Sequence, residues 1–166
     1  MERRLDILEA AGVEKIQEYH AGNVTDMIPY IVLIIDEVAE ISDPAIIHCI
    51  DRLVRLARAT GISIVAATQR PSKKVAVFKD DIRDNFAARV CYLMADEISS
   101  RLVLGENCPE AARLPEVKGR GIYKYGVTAK EIQTMFLPTR EAKKLLQGKE
   151  ANIWDVTKSR ARLPAR

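Results

Sequence analysis

Two adjacent carboxylates, Asp36 and Glu37, directly follow the apolar run Ile31 to Ile35. A run this short and this rich in β-branched residues is typical of a strand in a parallel sheet, with both faces covered. Because open α/β sheets bind ligands at the carboxyl ends of their strands, both acids would lie at that edge. One carboxylate there can order Mg²⁺ while the other polarises water that attacks a phosphate. The alternative is that the acids only cap the segment that follows.

A second apolar run, Ile62 to Ala67, ends in Thr68 and Gln69. The glutamine amide carries both a donor and an acceptor, which suits a group that positions water or senses a γ-phosphate. A helix is predicted between the two runs, with Asp43 as its N-cap and Gly61 ending it. This spacing fits one β-α-β unit, which would place both strand ends side by side. Alone, Thr68 and Gln69 also fit an ordinary exit from a strand.

Further strands and helices alternate along the chain, which predicts an α/β fold with a mainly parallel sheet. Residues 19–29 are predicted to form a loop. Residues 1–148 are predicted to form one domain, and the polar, basic residues 149–166 a tail or linker. The remaining predicted elements are a strand over 88–93, helices over 2–11, 76–84, 96–104 and 139–148, and closing strands over 121–125 and 131–137.

Composition restricts the possible functions. Aromatic residues make up 5% of the 166 residues, too few for the stacking platforms of single-strand-binding proteins. The net charge of +3 is compatible with a polyanionic partner. The three cysteines form no CxxC pair, which favours buried thiols over a disulfide framework or a zinc site. The sequence has no apolar run of the roughly 18 residues that a membrane span needs.

Several motifs stand in order along the chain: Pro29 to Glu37, Leu56 to Gly61, Ala67 to Pro71, Asn85 to Arg89, and Ser99 to Arg101. Together they resemble the FtsK/SpoIIIE family of double-stranded DNA translocases, and the resemblance covers residues 1–137. It implies a three-layer RecA-like P-loop NTPase core that uses ATP and Mg²⁺. It also implies a hexameric ring around double-stranded DNA, and a cytoplasmic location with the parent protein anchored at the inner face of the membrane.

The resemblance also assigns roles to residues. Asp36 matches the Mg²⁺ ligand, Glu37 the catalytic glutamate and Gln69 the sensor of the next strand. Arg58 matches an arginine that projects into the ATP site of the neighbouring subunit. Without the family, the residues alone favour a solvated charge beside Arg52 and Arg55, or a cation that interacts favourably with the helix dipole at its C-terminal end.

Two further groups of residues match the family with less defined roles. Nucleotide contacts are expected from Thr68, Arg89, Arg101 and Gly119. Arg89 and Arg101 could instead pair with Asp96 or Glu97. Contacts to DNA phosphates are expected from Lys73, Lys74 and Lys79, for which a solvated surface is the alternative.

The sequence departs from the family in one respect: it contains no Gly-x-x-x-x-Gly-Lys-[Ser/Thr] loop to hold phosphates. The family carries that loop before the region matched here, so this loop and the first core strand are expected on a preceding segment or another polypeptide. The 166 residues alone are therefore expected to bind ATP poorly and not to hydrolyse it. A short loop after Glu37 favours a divergent branch, such as a mobile-element coupling protein. A protein-moving secretion ATPase and a non-catalytic module of the same fold are the alternatives.

Overall fold

The structure is a computed structural model that describes residues 1–22, 27–72 and 80–148. Helices and strands alternate along these ranges, and two short 3₁₀ helices lie at Val38–Glu40 and Glu110–Arg113. The α-helices are α1 (Glu2–Ala10), α2 (Ile16–Gly22), α3 (Pro44–Leu56), α4 (Asp80–Arg83), α5 (Glu97–Leu104) and α6 (Thr139–Leu146). The strands are β1 (Ile31–Ile35), β2 (Ile62–Ala66), β3 (Ala88–Tyr92), β4 (Arg120–Tyr125) and β5 (Thr128–Gln133).

The first sheet is the β-α-β unit that the sequence predicts. Strands β1 and β2 pair in parallel, with Ile35 opposite Ala66 at their carboxyl ends. Helix α3 connects them and begins after Asp43, whose carboxylate accepts a hydrogen bond of 2.7 Å from the Ala45 amide. This N-cap satisfies one of the free amides of the first turn, as predicted.

Gly61 makes the turn from α3 into β2. Its φ of 75° lies in the left-handed region, which glycine adopts without a steric penalty. A Cβ at this position would also lie 2.5 Å from the Ile16 side chain. The tight turn returns the chain to the amino end of β1, so the two strands start and finish together.

Helix α3 packs on the carboxyl half of the β1–β2 sheet. The buried residues of this cluster are Val38, Ile50 and Ile82, with Ile35 and Ala66 packed against them. Elsewhere β1 is open, contrary to the expectation of a strand covered on both faces: Val32 is 59% exposed and Ile34 is 71% exposed. The reason is that, among the described residues, the hydrophobic cluster on this sheet reaches β1 only at Ile35, so the side chains before it have no layer packed over them.

The second sheet has the order β3-β4-β5 and is antiparallel throughout. The α/β fold is as predicted, but a mainly parallel arrangement holds only for β1 and β2 among the described strands. Gly126 and Val127 alone separate β4 from β5, and a connection this short joins only antiparallel strands. The closing strands lie at Arg120–Tyr125 and Thr128–Gln133, so the second begins three residues earlier than predicted.

Helix α2 corrects the predicted loop over residues 19–29. It ends at Gly22, and its buried residues are Ile16 and Tyr19. A short helix with buried residues three positions apart anchors itself by packing rather than by intrinsic propensity. The Ile16 amide also donates to the Ala59 carbonyl over 2.9 Å, which ties α2 to the turn after α3.

The core around the second sheet contains two of the three cysteines. Cys91 and Cys108 are buried with Leu104, Ala111 and Ile122. Burial raises the pKa of the Cys91 thiol to about 12 and that of Cys108 to about 11. Both thiols are therefore protonated and unreactive at neutral pH, as buried thiols are expected to be. Cys49, in contrast, is exposed.

The chain divides into two compact units, Met1–Gln133 and Thr134–Arg166. In the second unit, the described helix α6 carries basic residues in its last turn. Met135 and Phe136, which precede α6, are 96% and 89% exposed. The predicted tail over 149–166 and the first part, 76–79, of the predicted helix over 76–84 lie outside the described residues, while α4 lies in the described part of that predicted helix. No helix in the described ranges has the length and apolar character needed to cross a bilayer.

Candidate nucleotide site at the carboxyl edge of the first sheet

The parallel pairing continues one residue beyond each strand and brings the two polar strand ends together. The Ala67 amide donates to the Ile35 carbonyl over 2.8 Å, and the Val38 amide donates to the Ala67 carbonyl over 2.9 Å. Glu37 therefore lies directly beside Thr68 across the sheet edge. This is the juxtaposition that the spacing of the two motifs predicts.

The Glu37 carboxylate is held by two donors from the end of β2. The Gln69 backbone amide donates to Oε2 over 2.9 Å. The Thr68 hydroxyl donates to Oε1. A carboxylate that receives one donor on each oxygen is fixed in orientation, yet it keeps lone pairs that can accept from water.

These contacts lower the pKa of Glu37 below its ordinary value. The largest cause is the hydrogen bond from the Thr68 hydroxyl, followed by that from the Gln69 amide. Desolvation opposes them, while the Ala39 amide and the positive charge of Arg70 add to the lowering. Glu37 is therefore ionised at neutral pH, which suits a group that orients and polarises water more than one that removes its proton outright.

Asp36 is exposed at the same edge, and within the described ranges its carboxylate accepts no hydrogen bond. The described residues contain no cluster of three or more His, Cys, Asp or Glu that would hold a metal by themselves. A single free carboxylate nevertheless fits Mg²⁺, because this ion keeps several waters and takes only one or two carboxylates beside the phosphates of a substrate.

Arg58 lies near the amino-terminal ends of the strands of the first sheet, whereas Glu37 lies at their carboxyl ends. It is exposed in the turn after α3, and its carbonyl accepts from the Gly61 amide over 3.2 Å, next to the start of β2. At the usual rise per residue, the length of β2 separates the two edges by about 20 Å. Arg58 therefore does not share a site with Glu37 in the same chain. Its guanidinium forms no hydrogen bond or ion pair with any described residue.

Arg89 and Arg101 lie near the second sheet, where each contacts a carboxylate. Arg89 bonds to Asp84 over 3.3 Å. Arg101 bonds to Glu97 over 3.0 Å, which is one of the pairings the sequence left open. In both arginines Nε is buried without a partner among the described residues. No described contact joins either arginine to the carboxylates of the first sheet.

Glu97 also binds a residue that the sequence did not single out. Arg113 donates to Glu97 Oε1 through Nη2 at 2.6 Å and through Nε at 3.2 Å. The hydrogen bond from Arg113 is the largest cause that lowers the pKa of Glu97. Arg101 and Arg113 thus share one exposed carboxylate, an arrangement typical of a surface ion-pair network.

Gly119 and Gly121, on either side of Arg120, each occupy a backbone position that favours glycine. Gly119 has a φ of 81° immediately before β4. A Cβ on Gly121 would lie 3.1 Å from the Cys91 carbonyl oxygen of β3. Both glycines therefore have a structural reason to be there, and a nucleotide contact by Gly119 stays a prediction. Lys73, Lys74 and Lys79 lie outside the described residues.

The sequence missed that Thr68 and the Gln69 backbone act directly on Glu37. The relevant signal is the strand register: once Ile35 is opposite Ala66, residue 37 must lie beside residue 68. The sequence alone predicts that Thr68 contacts the nucleotide and that Gln69 acts through its side-chain amide.

Solved structures define the class of fold. The pCW3 conjugation coupling protein TcpA, in its monomer form with ATPγS, superposes with a TM-score of 0.76 at 30% identity, over 90% of this chain and 45% of TcpA. The cytoplasmic domain of the Thermomonospora curvata type VII secretion ATPase EccC gives a TM-score of 0.70 at 20% identity, over 82% of this chain and 16% of EccC. The fold is therefore that of a RecA-like ATPase domain, as predicted.

Sequence relatives narrow the class. The DNA translocase FtsK of Borreliella burgdorferi is 36% identical over 159 residues, which is 89% of this chain and 19% of the relative. FtsK of Chlorobaculum tepidum is 36% identical over 107 residues, which is 63% of this chain and 13% of the relative. The chain is thus a relative of the FtsK/SpoIIIE DNA translocases, the family that its motifs resemble. It spans less than a fifth of the length of these two relatives, and no family model matches it.

Proposed function

We propose that this chain supplies the magnesium-binding and water-activating side of an ATP site in a ring-shaped translocase of double-stranded DNA. The observation that carries the proposal is the Glu37 carboxylate, held by Thr68 and Gln69 at the carboxyl ends of two parallel strands. In this proposal Asp36 holds Mg²⁺, and Glu37 orients the water that attacks the γ-phosphate. Mg²⁺, when bound, neutralises charge on the phosphates.

The rest of the ATP site comes from outside these 166 residues. A phosphate-binding loop, on the same or another polypeptide, holds the phosphates against the carboxyl edge of the first sheet. We call the protein or assembly in which the chain meets that loop the motor. Arg58 belongs to the opposite edge, so in a ring it acts on the ATP of the neighbouring subunit. An arginine supplied across an interface stabilises the charge that develops on the transferring phosphoryl group.

Double-stranded DNA is the proposed cargo. The sequence relatives named above are DNA translocases, and the chain carries Lys73, Lys74 and Lys79 in the segment that follows the Thr68–Gln69 edge. Contact to the DNA backbone releases counterions, so the affinity falls steeply as salt rises. The alternative is a protein cargo, as the similar fold of the type VII secretion ATPase EccC suggests. EccC is 20% identical to this chain, so the likeness is one of fold alone.

Double-stranded DNA should stimulate the Mg²⁺-dependent ATPase activity of the motor, and the stimulation should decrease as salt rises. Replacing Lys73 and Lys74 together by alanine should raise the DNA concentration needed for half-maximal stimulation, because two phosphate contacts are lost. The matched control is Lys130→Ala on the exposed strand β5, far along the chain from the lysine segment. Steady-state hydrolysis against DNA concentration measures both effects. An ATPase rate that does not change with DNA concentration but rises with a protein substrate would contradict DNA as the cargo.

A further inference from the structure

The Thr68 hydroxyl is the middle of a one-way chain of hydrogen bonds that ends at Glu37. The Arg70 backbone amide donates to Thr68 Oγ1 over 3.1 Å. The hydroxyl in turn donates to Glu37 Oε1. A hydroxyl has one proton, and an ionised carboxylate only accepts. The proton of Thr68 is therefore used on Glu37 and cannot simultaneously serve a phosphate oxygen.

We propose that Thr68 is a positioning residue for Glu37 rather than a ligand of the nucleotide. The inference rests on the proposed function, in which Glu37 orients the attacking water. Thr68 and the Gln69 amide each hold one carboxylate oxygen, so together they fix the plane of the carboxylate. The lone pairs that remain point away from these two donors and are available to water.

The same contacts couple the backbone after β2 to the catalytic carboxylate. Thr68 accepts from Arg70, two residues further along the chain, in the turn that leaves the sheet. A change in the backbone at Arg70 would therefore remove the hydrogen bond that the Arg70 amide donates to the Thr68 hydroxyl. The hydroxyl would then fix the Glu37 carboxylate less firmly. Catalysis is sensitive to such loosening, because a small misplacement of a reacting group can cost roughly 10²-fold in rate.

Kinetics of Thr68 variants in the motor test the proposal. Thr68→Val keeps the shape and removes the hydroxyl, and it should lower kcat roughly 10- to 100-fold while KM for ATP changes less than about twofold. Thr68→Ser restores the hydroxyl and should recover most of that loss. The matched control is Thr128→Val at the exposed start of β5. A raised KM with unchanged kcat would make Thr68 a nucleotide ligand and overturn the proposal.

The Glu37→Gln variant separates this inference from the proposed function. If Glu37→Gln remains fully active, the proposed function itself fails. If Glu37→Gln is inactive while Thr68→Val hydrolyses ATP normally, only the positioning role of Thr68 fails.

A measurement on the 166-residue chain itself needs no activity. Glu37→Gln should shift the amide NMR signals of both Gln69 and Arg70, because Arg70 is linked to Glu37 through the Thr68 hydroxyl. Combining Glu37→Gln with Thr68→Val should lower the Tm by less than the sum of the two single effects, since both changes weaken the same hydrogen bond. An Arg70 signal that does not move, together with additive Tm losses, would contradict the chain of hydrogen bonds.

Discussion

Replacing Glu37 by glutamine in the motor is expected to abolish ATP hydrolysis while leaving ATP binding intact. Glutamine keeps the size of the side chain, but its amide lacks the charge with which the carboxylate polarises water. The loss of a side chain that positions and polarises the attacking water is expected to cost roughly 10²- to 10⁴-fold in kcat. Steady-state hydrolysis and equilibrium binding of a fluorescent ATP analogue measure the two properties separately.

The matched control for this variant is Glu131→Gln on β5, whose carboxylate accepts from Arg120 over 2.7 Å at the second sheet. It loses a charged contact of similar kind without touching the proposed site, so its kcat should stay close to that of the unchanged motor. Hydrolysis by Glu37→Gln at the rate of the unchanged motor would rule out Glu37 as the catalytic carboxylate.

Mixing two inactive variants of the motor, Glu37→Gln and Arg58→Ala, is expected to restore hydrolysis. Each variant alone should be inactive, with Arg58→Ala losing roughly 10³-fold or more. In a mixed ring some interfaces join a subunit with intact Glu37 to a neighbour with intact Arg58. Random mixing in equal amounts leaves roughly one quarter of the head-to-tail interfaces complete. Hydrolysis is measured against the mixing ratio, after the subunits have exchanged.

This experiment distinguishes action across an interface from action within one subunit. If Arg58 served the ATP of its own chain, no subunit in the mixture would hold both residues, and the mixture would stay inactive. The roughly 20 Å between the two edges of the first sheet favours recovery. Arg52→Ala, on the helix α3 that precedes Arg58, is the control: this arginine makes an exposed ion pair with Glu2, and its loss should leave hydrolysis unchanged.

The first sheet could be predicted from the sequence because its determinants are local. The β-branched run over 31–35 forms β1, Asp43 caps the next helix, and Gly61 allows the turn into β2. Each of these signals acts within a few residues, so no knowledge of the rest of the fold is needed. The position of Asp36 and Glu37 beside the end of β2 follows directly from that unit.

The pairing of the second sheet could not be predicted in the same way. The run over 88–92 indicates a strand, but nothing in it specifies a partner or a direction. Its antiparallel neighbour β4 is found about thirty residues later, and Cys91 pairs there with Ile122. Pairing at such separation is decided by packing of the whole unit, which a single sequence does not display.

The exact contacts of the candidate site also needed coordinates. Thr68 and Gln69 were identified as polar groups at a strand end, but their action on Glu37 depends on register, which changes which side chains are adjacent when it slips by one residue. The Arg89–Asp84 contact could not be predicted from the sequence either, because Asp84 lies in the connection before β3 and belongs to none of the motifs. The spacing thus predicted which strand ends lie together, and the contacts between their side chains required the fold.

Paramagnetic NMR of the 166-residue chain with Mn²⁺·ATP tests the central claim most directly. Mn²⁺ replaces Mg²⁺ and broadens nearby amide signals even when binding is weak, as it is expected to be without a phosphate-binding loop. The account predicts that broadening is greatest at residues 36, 37, 68 and 69, and that Asp36→Ala removes it while the control Asp51→Ala on α3 does not. Broadening centred on the Glu97–Arg113 ion pairs, or unchanged by Asp36→Ala, would contradict a metal–nucleotide site at this sheet edge.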